Sequence, residues 1–539
     1  MEDNPGAKQI MNSLDRREFL ALATLAGIGF MAGGTVSEAR SAGKAIDLTE
    51  RTVAELAASM QKGELSSEAI TKWYLARIKA IDPKINSIIE INPDALAIAR
   101  QRDSERRLKN VKGPLHGIPF VVKDNIDTAD KMKTTAGSLA LVDAPTPAKD
   151  AFIVERLREA GAVLLGKTNL SEWANFRDND SVSGWSGRGR QTRNPYILDR
   201  NPCGSSSGTG AAIAANLAPI GIGTETDGSI VCPASICGIV GLKPTVGLVS
   251  RRGIIPIAAS QDTAGPMTRS VADAAIMLNV LAVQDGSDPA MKGIKREKVD
   301  YTNFLKADGM KGARIGVARD FWGRRADVDE VTNAAIEVMK KAGAVLIDVK
   351  FPNLRKFGDA EFIVLQYEFK DGLEKYLSGR GSKHRTLDDL IKFNNDNAAQ
   401  EMPYFKQTIF ESSAKKGRLT DKEYLDAVET CRKYSREEGI DQVMKENKLD
   451  AIVGPSNAPT WMIDLINGDC GSGYVGSSSL AAVAGYPNIT VPAGFARELP
   501  IGISFFGRAF SEGTLIKIAY SFEQATRARR TPKFLPTAS

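Results

Sequence analysis

Ile118-Pro119-Phe120-Val121-Val122, Ala162-Val163-Leu164-Leu165, Ile220-Gly221-Ile222-Gly223 and Ile239-Val240-Gly241-Leu242 are brief, unbroken apolar runs. Each is too short for a helix. Runs without alternation are expected of strands buried on both faces, because neither face needs a polar side chain. Helical segments lie between them, at about 150–160 and 208–217. Strand and helix in alternation predict an α/β fold with a largely buried sheet. Apolar runs return at Ala451–Val453, Asn488–Val491 and Ile501–Phe506, and a helix from about Ser511 closes the chain. These late strands are expected to rejoin the first sheet, giving one large domain over 44–539. Residues 285–312, rich in Asp, Gly and Lys, read as a surface connection, and the stretch from there to about 445 as mainly helical.

Towards the N-terminus, Thr52-Val53-Ala54-Glu55 is a capping box that opens a helix with Val53, Leu56 and Met60 on one face. Gly63 ends it. A second helix from about Ser67 carries Ile70, Trp73 or Tyr74, Leu75, Ile78 and Ile81 as its apolar stripe. Ile88–Ile91 reads as a short strand and 94–109 as a helix. Arg100, Arg102, Arg106 and Arg107 on that helix invite a nucleic-acid reading, but Asp103 and Glu105 are interleaved with them, so the face is a solvated one.

The 539 residues are 42 % hydrophobic and 25 % charged, which excludes disorder, coiled coil and collagen. A net charge of +6 over this length points to neither a nucleic-acid nor a membrane surface. Residues 1–43 read as an export signal. Paired Arg16-Arg17 precede an apolar run from Phe19 to about Ala32, and small residues follow, with a cleavage site expected near Ser37-Glu38-Ala39 or up to Ala42. The run is too short to span a membrane, so no stable membrane insertion is expected. The paired arginines resemble the twin-arginine type of signal, so the protein is expected to be periplasmic or secreted. Cys203, Cys232, Cys237, Cys431 and Cys470 are few and odd in number, which speaks against a disulfide scaffold and for buried thiols. Neither their spacing nor the two histidines, His116 and His384, suggest a metal site.

Two motifs look chemical and fail on context. Gly161-Ala-Val-Leu-Leu-Gly166-Lys167-Thr168 satisfies the phosphate-loop pattern, yet a helix precedes Gly161 and Ala-Val-Leu-Leu is itself the strand. Gly204-Ser205-Ser206-Ser207-Gly208 matches the G-x-S-x-G elbow, but what precedes it is a Pro- and Asn-punctuated loop. Its base would have to be His384, on a Lys/Arg-rich stretch, while His116 reads as a turn residue.

A third constellation is stronger. Lys123 ends an apolar strand, where desolvation lowers a lysine pKa and frees its lone pair as a base. The Ser/Gly loop 204–210 runs into a helix. The turn Thr224-Glu-Thr-Asp-Gly-Ser229 follows a buried strand and offers consecutive backbone N–H groups around a glycine, a nest suited to an oxyanion. With Cys203-Gly-Ser-Ser-Ser-Gly-Thr-Gly210, Gly223–Pro233 and Gly238-Ile-Val-Gly-Leu-Lys-Pro-Thr245, these residues closely resemble the amidase signature family over nearly all of the chain after the signal, most densely over about 115–270. Asn169-Leu-Ser-Glu-Trp-Ala-Asn-Phe176 and Thr226-Asp-Gly-Ser-Ile-Val-Cys232 look most like its bacterial peptide amidases, which deamidate C-terminal peptide amides.

The resemblance implies a large mixed β-sheet covered by helices on both faces. It implies amide hydrolysis to carboxylate and ammonia or amine through an acyl-enzyme, without metal or cofactor. Ser229 would be the nucleophile, Ser205 the bridging serine on a cis peptide bond, and Lys123 the base. The amides of Thr226, Asp227, Gly228 and Ser229 would form the oxyanion hole. Two residues depart from most of the family: Asp227 and Ser207 stand where glycine is usual. A carboxylate beside an oxyanion hole is tolerable only if it points away and is hydrogen-bonded. Ser206 either assists binding by hydrogen bonding or caps the following helix, the second being favoured. Trp173 and Phe176 line the substrate pocket or belong to the core, and the two readings stand equal. Peptide amides lead as substrates. The alternatives are aryl or small aliphatic amides, or the role of an amidotransferase A subunit.

Overall fold

The computed structural model describes residues 46–294, 297–470 and 475–538. The export-signal reading of 1–43 falls outside them. Met1–Asp47 is a unit of its own, of which only Ile46 and Asp47 are described, and Leu48–Ser539 forms a second unit.

The sheet has eleven strands among the described residues: β1 (Ile88–Ile91), β2 (Pro119–Lys123), β3 (Val163–Thr168), β4 (Ile220–Glu225), β5 (Val240–Lys243), β6 (Thr263–Thr268), β7 (Arg314–Ala318), β8 (Val345–Val349), β9 (Ala451–Pro455), β10 (Asn488–Ala496) and β11 (Leu499–Phe506). Their spatial order is β1-β3-β2-β4-β6-β5-β10-β11-β9-β7-β8. β3-β2-β4 and β9-β7-β8 are parallel sets, and the remaining neighbours are antiparallel. The sheet is therefore mixed, and helices cover both faces. The late strands do rejoin the first sheet through the β5–β10 pairing. Every residue of β2, β3, β4, β5, β6, β9 and β11 is buried, as continuous apolar runs require.

The N-terminal helices form as their stripes and caps dictate. Thr52 Oγ1 accepts from the Glu55 amide at 3.2 Å, and Glu55 Oε2 accepts from the Thr52 amide at 2.8 Å. Among the described residues, no helix is long and apolar enough to cross a membrane. The stretch to about 445 is more helical, as expected, but β7 and β8 also lie within it, joined by the helix Ala326–Lys341. β8 is an edge strand with Val345 and Asp348 exposed, so its pattern is neither a buried run nor a clean alternation.

Two further features position the site. β2 and β4 are parallel neighbours, pairing Val122 with Ile222, so their C-terminal ends bring Lys123 and Thr224 to the same edge of the sheet. That edge is where open α/β sheets place their ligands. The helix Ser207–Ala214 presses against the loops beside it. A Cβ on Gly208 would stand 2.4 Å from the carbonyl oxygens of both Ser87 and Asn169, so only glycine allows this approach.

Candidate active site

Lys123 is wholly buried at the end of β2. Its Nζ lies 2.7 Å from Ser205 Oγ, 2.9 Å from Thr224 Oγ1 and 3.3 Å from the Thr224 carbonyl oxygen. Burial brings its pKa down to about 7, with the carboxylates of Asp262 and Glu225 pulling the other way. Ser205 follows a cis Gly204–Ser205 peptide bond, and its Oγ is 3.0 Å from Ser229 Oγ. The structure thus brings Lys123, Ser205 and Ser229 into one line of hydrogen bonds. Ser229 is 8 % exposed, at the turn between β4 and the helix Val231–Ile236.

That turn is built as a nest. Gly228 has φ +77°, a conformation glycine adopts without strain. The backbone amides of Thr226, Asp227, Gly228 and Ser229 meet no acceptor among the described residues. Four adjacent unused donors beside a serine hydroxyl are suited to receive developing negative charge. Glu225 fixes the turn from within, as its Oε2 accepts from the amides of Ile230 (2.7 Å) and Val231 (3.0 Å). Asp262 fixes it from the other side, accepting from Thr226 Oγ1 at 2.6 Å and from the amides of Ile257 and Ala258. Burial raises the Asp262 carboxyl to about 6.

Asp227 meets the condition its position demands. Its two carboxylate oxygens accept from Ser478 Oγ (2.7 Å) and Ser479 Oγ (2.6 Å), so its charge is engaged by the helix Ser478–Val483. Burial raises its pKa while the two hydroxyls draw it back.

Several expectations are corrected, and one left open is decided. Ser206 stands at the N-cap of its helix but makes no cap bond. Its Oγ instead donates to the Thr224 carbonyl at 3.0 Å and accepts from the Thr224 amide at 3.2 Å, tying the Ser/Gly loop to the end of β4. Trp173 and Phe176 are core residues: Trp173 packs edge-on against Phe410, and Phe176 against Phe369. The buried-thiol reading fails for one pair, because Cys203 and Cys232 form a disulfide with Cα atoms 6.1 Å apart. Cys237 and Cys431 are buried thiols and Cys470 an exposed one.

The discarded motifs stay discarded. Lys167 lies within β3 with its Nζ on the Ile126 carbonyl (2.5 Å) and Thr134 Oγ1 (2.9 Å), so it has no loop to cradle a phosphate. His384 packs against Phe393, while Ser206 bonds to Thr224. His116 is buried with Nε2 3.0 Å from the Arg102 carbonyl. Composition and motifs gave no individual role to Thr224, Asn125, Glu225 or Asp262. Thr224 and Glu225 lie in the quoted turn and were legible as its lining. Asn125 and Asp262 reach the site only through tertiary packing.

Two cavities flank the relay. One of about 400 Å³ touches Asn125, Thr224 and Thr226 and is walled by Ile254, Ile255, Pro256 and Ile257. The other, of about 360 Å³, touches Gly204, Asp227 and Gly228 as well as Ser478, Ser479 and Trp461.

The chain is similar to proteins whose identity bears on this geometry. A native peptide amidase from Stenotrophomonas maltophilia superimposes with a TM-score of 0.86 at 50 % identity, covering 90 % of this chain and 99 % of that one. A probable amidase of Arabidopsis thaliana is 40 % identical over 517 residues, 94 % of this chain and 95 % of the relative. The glutamyl-tRNA(Gln) amidotransferase A subunit of Thermoanaerobacter pseudethanolicus is 35 % identical over 502 residues, 90 % of this chain and 99 % of the relative. The Amidase family model matches residues 69–516. A match over most of the chain, taking in the sheet edge that holds Lys123, Ser205 and Ser229, establishes that this protein belongs to the Amidase family and is an amide-hydrolysing enzyme.

Proposed function

We propose that this enzyme hydrolyses C-terminal peptide amides, releasing ammonia, with Ser229 as nucleophile, Ser205 as bridging serine and Lys123 as base. The observation that carries the chemistry is the line from Lys123 Nζ through Ser205 Oγ to Ser229 Oγ, ending beside four amides that meet no acceptor among the described residues.

Hydrogen-bond counting supports the direction of proton flow. A neutral amine has two N–H groups and one lone pair. The two oxygens of Thr224 accept the two N–H groups, which leaves the lone pair for Ser205. Ser205 then passes its proton to Lys123 while receiving that of Ser229, whose oxygen attacks the carbonyl carbon. The oxyanion forms against the amides of Thr226 to Ser229. Run in reverse, the same line protonates the departing nitrogen, and water hydrolyses the acyl-enzyme.

For the substrate, support comes from the likeness to a peptide amidase at 50 % identity and from the apolar wall Ile254–Ile257 near the relay. A terminal carboxamide has a bulky acyl side and a leaving group no larger than ammonia, so one chain-sized cavity is enough. With a C-terminally amidated peptide, the wild type is expected to release one ammonia per peptide and leave a free carboxylate, read by mass as a gain of one unit. If it leaves such peptides intact and cleaves aryl or small aliphatic amides, the peptide reading is overturned.

We also propose that residues 1–43 direct export. The Cys203–Cys232 bridge supports this, because disulfides persist in oxidising compartments. N-terminal sequencing of the exported protein should begin shortly after Ala39 to Ala42. An intact Met1 there would overturn the reading.

A further inference from the structure

Cys203 and Cys232 bracket the relay. Ser205 lies two residues inside one end of the covalent ring and Ser229 three residues inside the other. On the first side the chain is held locally: the Cys203 amide donates to Asn201 Oδ1 at 2.8 Å, and Ser207 Oγ donates to the Cys203 carbonyl at 2.6 Å. On the second side the Cys232 amide donates to the Gly228 carbonyl at 2.7 Å, which ties the bridge to the turn carrying the nucleophile. Between the segments, the hydrogen bonds to Ser229 are Ser205 Oγ to Ser229 Oγ and the Ser206 amide to the Ser229 carbonyl at 3.2 Å, and Ser206 Oγ bonds both backbone groups of Thr224 where the turn begins. The disulfide is the covalent link parallel to them.

Its placement is also unusual for a structural bridge. The two cysteines are 6 % and 4 % exposed, and both line the cavity that touches Gly228 and Asp227. That cavity gives a small thiol an approach to the bridge.

We propose that the Cys203–Cys232 disulfide is a reducible clamp that sets the Ser205–Ser229 separation, so that full turnover requires the oxidised bridge. Cys203 and Cys232 are then positioning residues, acting through the two serines. The inference rests on the relay proposed above. Reduction by a dithiol such as dithiothreitol proceeds by thiolate attack on one sulfur, cleavage of the S–S bond and a mixed disulfide. The reagent's second thiol then displaces the enzyme's sulfur. The enzyme gains two thiols, and the reagent gives up two electrons as a cyclic disulfide. Proton transfer between hydroxyls is steep in distance, and misplacement by about 1 Å costs on the order of 100-fold in rate.

The test uses the full chain under native conditions. Dithiothreitol is titrated in while alkylation and mass spectrometry count free thiols, and circular dichroism follows the fold. The expected result is a fall in kcat of about 10- to 100-fold in step with the bridge, with KM within about threefold and the acid limb of the pH profile unmoved. Oxidised glutathione should restore the activity. The double variant Cys203→Ser/Cys232→Ser should show the same low kcat and respond to neither reagent, and Cys470→Ser should keep the wild-type response. A folded, bridge-free enzyme with unchanged kcat, even with a lower melting temperature, would reduce the disulfide to a structural role and overturn the proposal. So would activity lost only as the fold is lost, or a purified protein carrying five free thiols. Failure of the relay itself would show separately, as retained turnover in Ser229→Ala.

Discussion

Ser229→Ala is expected to lose turnover by roughly 10⁵-fold or more, because it removes the proposed nucleophile and neither neighbouring serine is placed to form the acyl bond. The alternative serines are committed elsewhere. Ser206 Oγ is held by both backbone groups of Thr224, and Ser205 Oγ is positioned against Lys123. Ser229 makes its side-chain hydrogen bond to Ser205 and is small, so its removal should move the unfolding free energy by no more than about 1 kcal/mol. Steady-state ammonia release measures the first quantity and denaturant unfolding the second. Mass spectrometry with a slowly turned-over ester should trap an acyl adduct on the wild type and none on the variant. Turnover within tenfold of wild type in Ser229→Ala would place the nucleophile elsewhere.

Lys123 predicts two effects of opposite sign. As the proposed base it works only when neutral, and burial brings its pKa down to about 7. The kcat/KM profile should rise with unit slope up to about pH 7 and level off above it, standing about 100-fold below its plateau at pH 5. Lys123→Ala should lose about 10³- to 10⁴-fold at the plateau. Lys123→Arg should not rescue it, since a guanidinium keeps its proton. A flat profile from pH 5 to 8 would contradict the assignment.

The second effect concerns the fold. The pKa is depressed relative to the unfolded chain, so the unfolded state holds more protons between about pH 7 and 10.5. Stability conferred by this site therefore rises with pH through that window, and the full penalty applies below pH 7. Lys123→Met keeps the volume and strands no acceptor. Thr224 Oγ1 still receives from Asn125 Nδ2, the Thr224 carbonyl from Ser206 Oγ, and Ser205 Oγ keeps Ser229. At pH 6 it should gain about 2–4 kcal/mol of stability while losing turnover. Denaturant midpoints at pH 6 and 9 would show the gain shrinking as pH rises.

The strands that matter most for the site were legible because they are buried on both faces. The run ending at Lys123 and the run ending at Gly223 declare themselves without alternation, and the nest around Gly228 declares itself by its glycine. β8 was missed because Asp348 interrupts a short run on the exposed edge, where the burial signal fades, whereas β7 was missed although Ile315–Ala318 is a short buried run like the others. The disulfide was missed because 29 residues of separation carry no geometric information until the Ser/Gly loop folds over the turn. Trp173 and Phe176 show the same limit. Nothing in their spacing says which side of a wall an aromatic ring faces, and packing against Phe410 and Phe369 decides it. Asp262 was out of reach for a different reason, since its role depends on a hydroxyl 36 residues away.

The proposed reacting groups and much of the surface around them come from different stretches of chain. Lys123, Ser205 and Ser229 are carried by the segment from β2 to the turn after β4. Asp371, Gly372 and Lys375 close one cavity from the helix Gly358–Arg380, and Trp461, Ser478 and Ser479 close the other. Such a division lets selectivity drift without disturbing the chemistry. The later stretch can exchange side chains while the sheet edge stays as it is, so long as Ser478 and Ser479 keep hold of the Asp227 carboxylate. A family assembled this way can serve many amides with one engine, and grafting the wall segments between members is the natural route to moving this enzyme from one substrate to another.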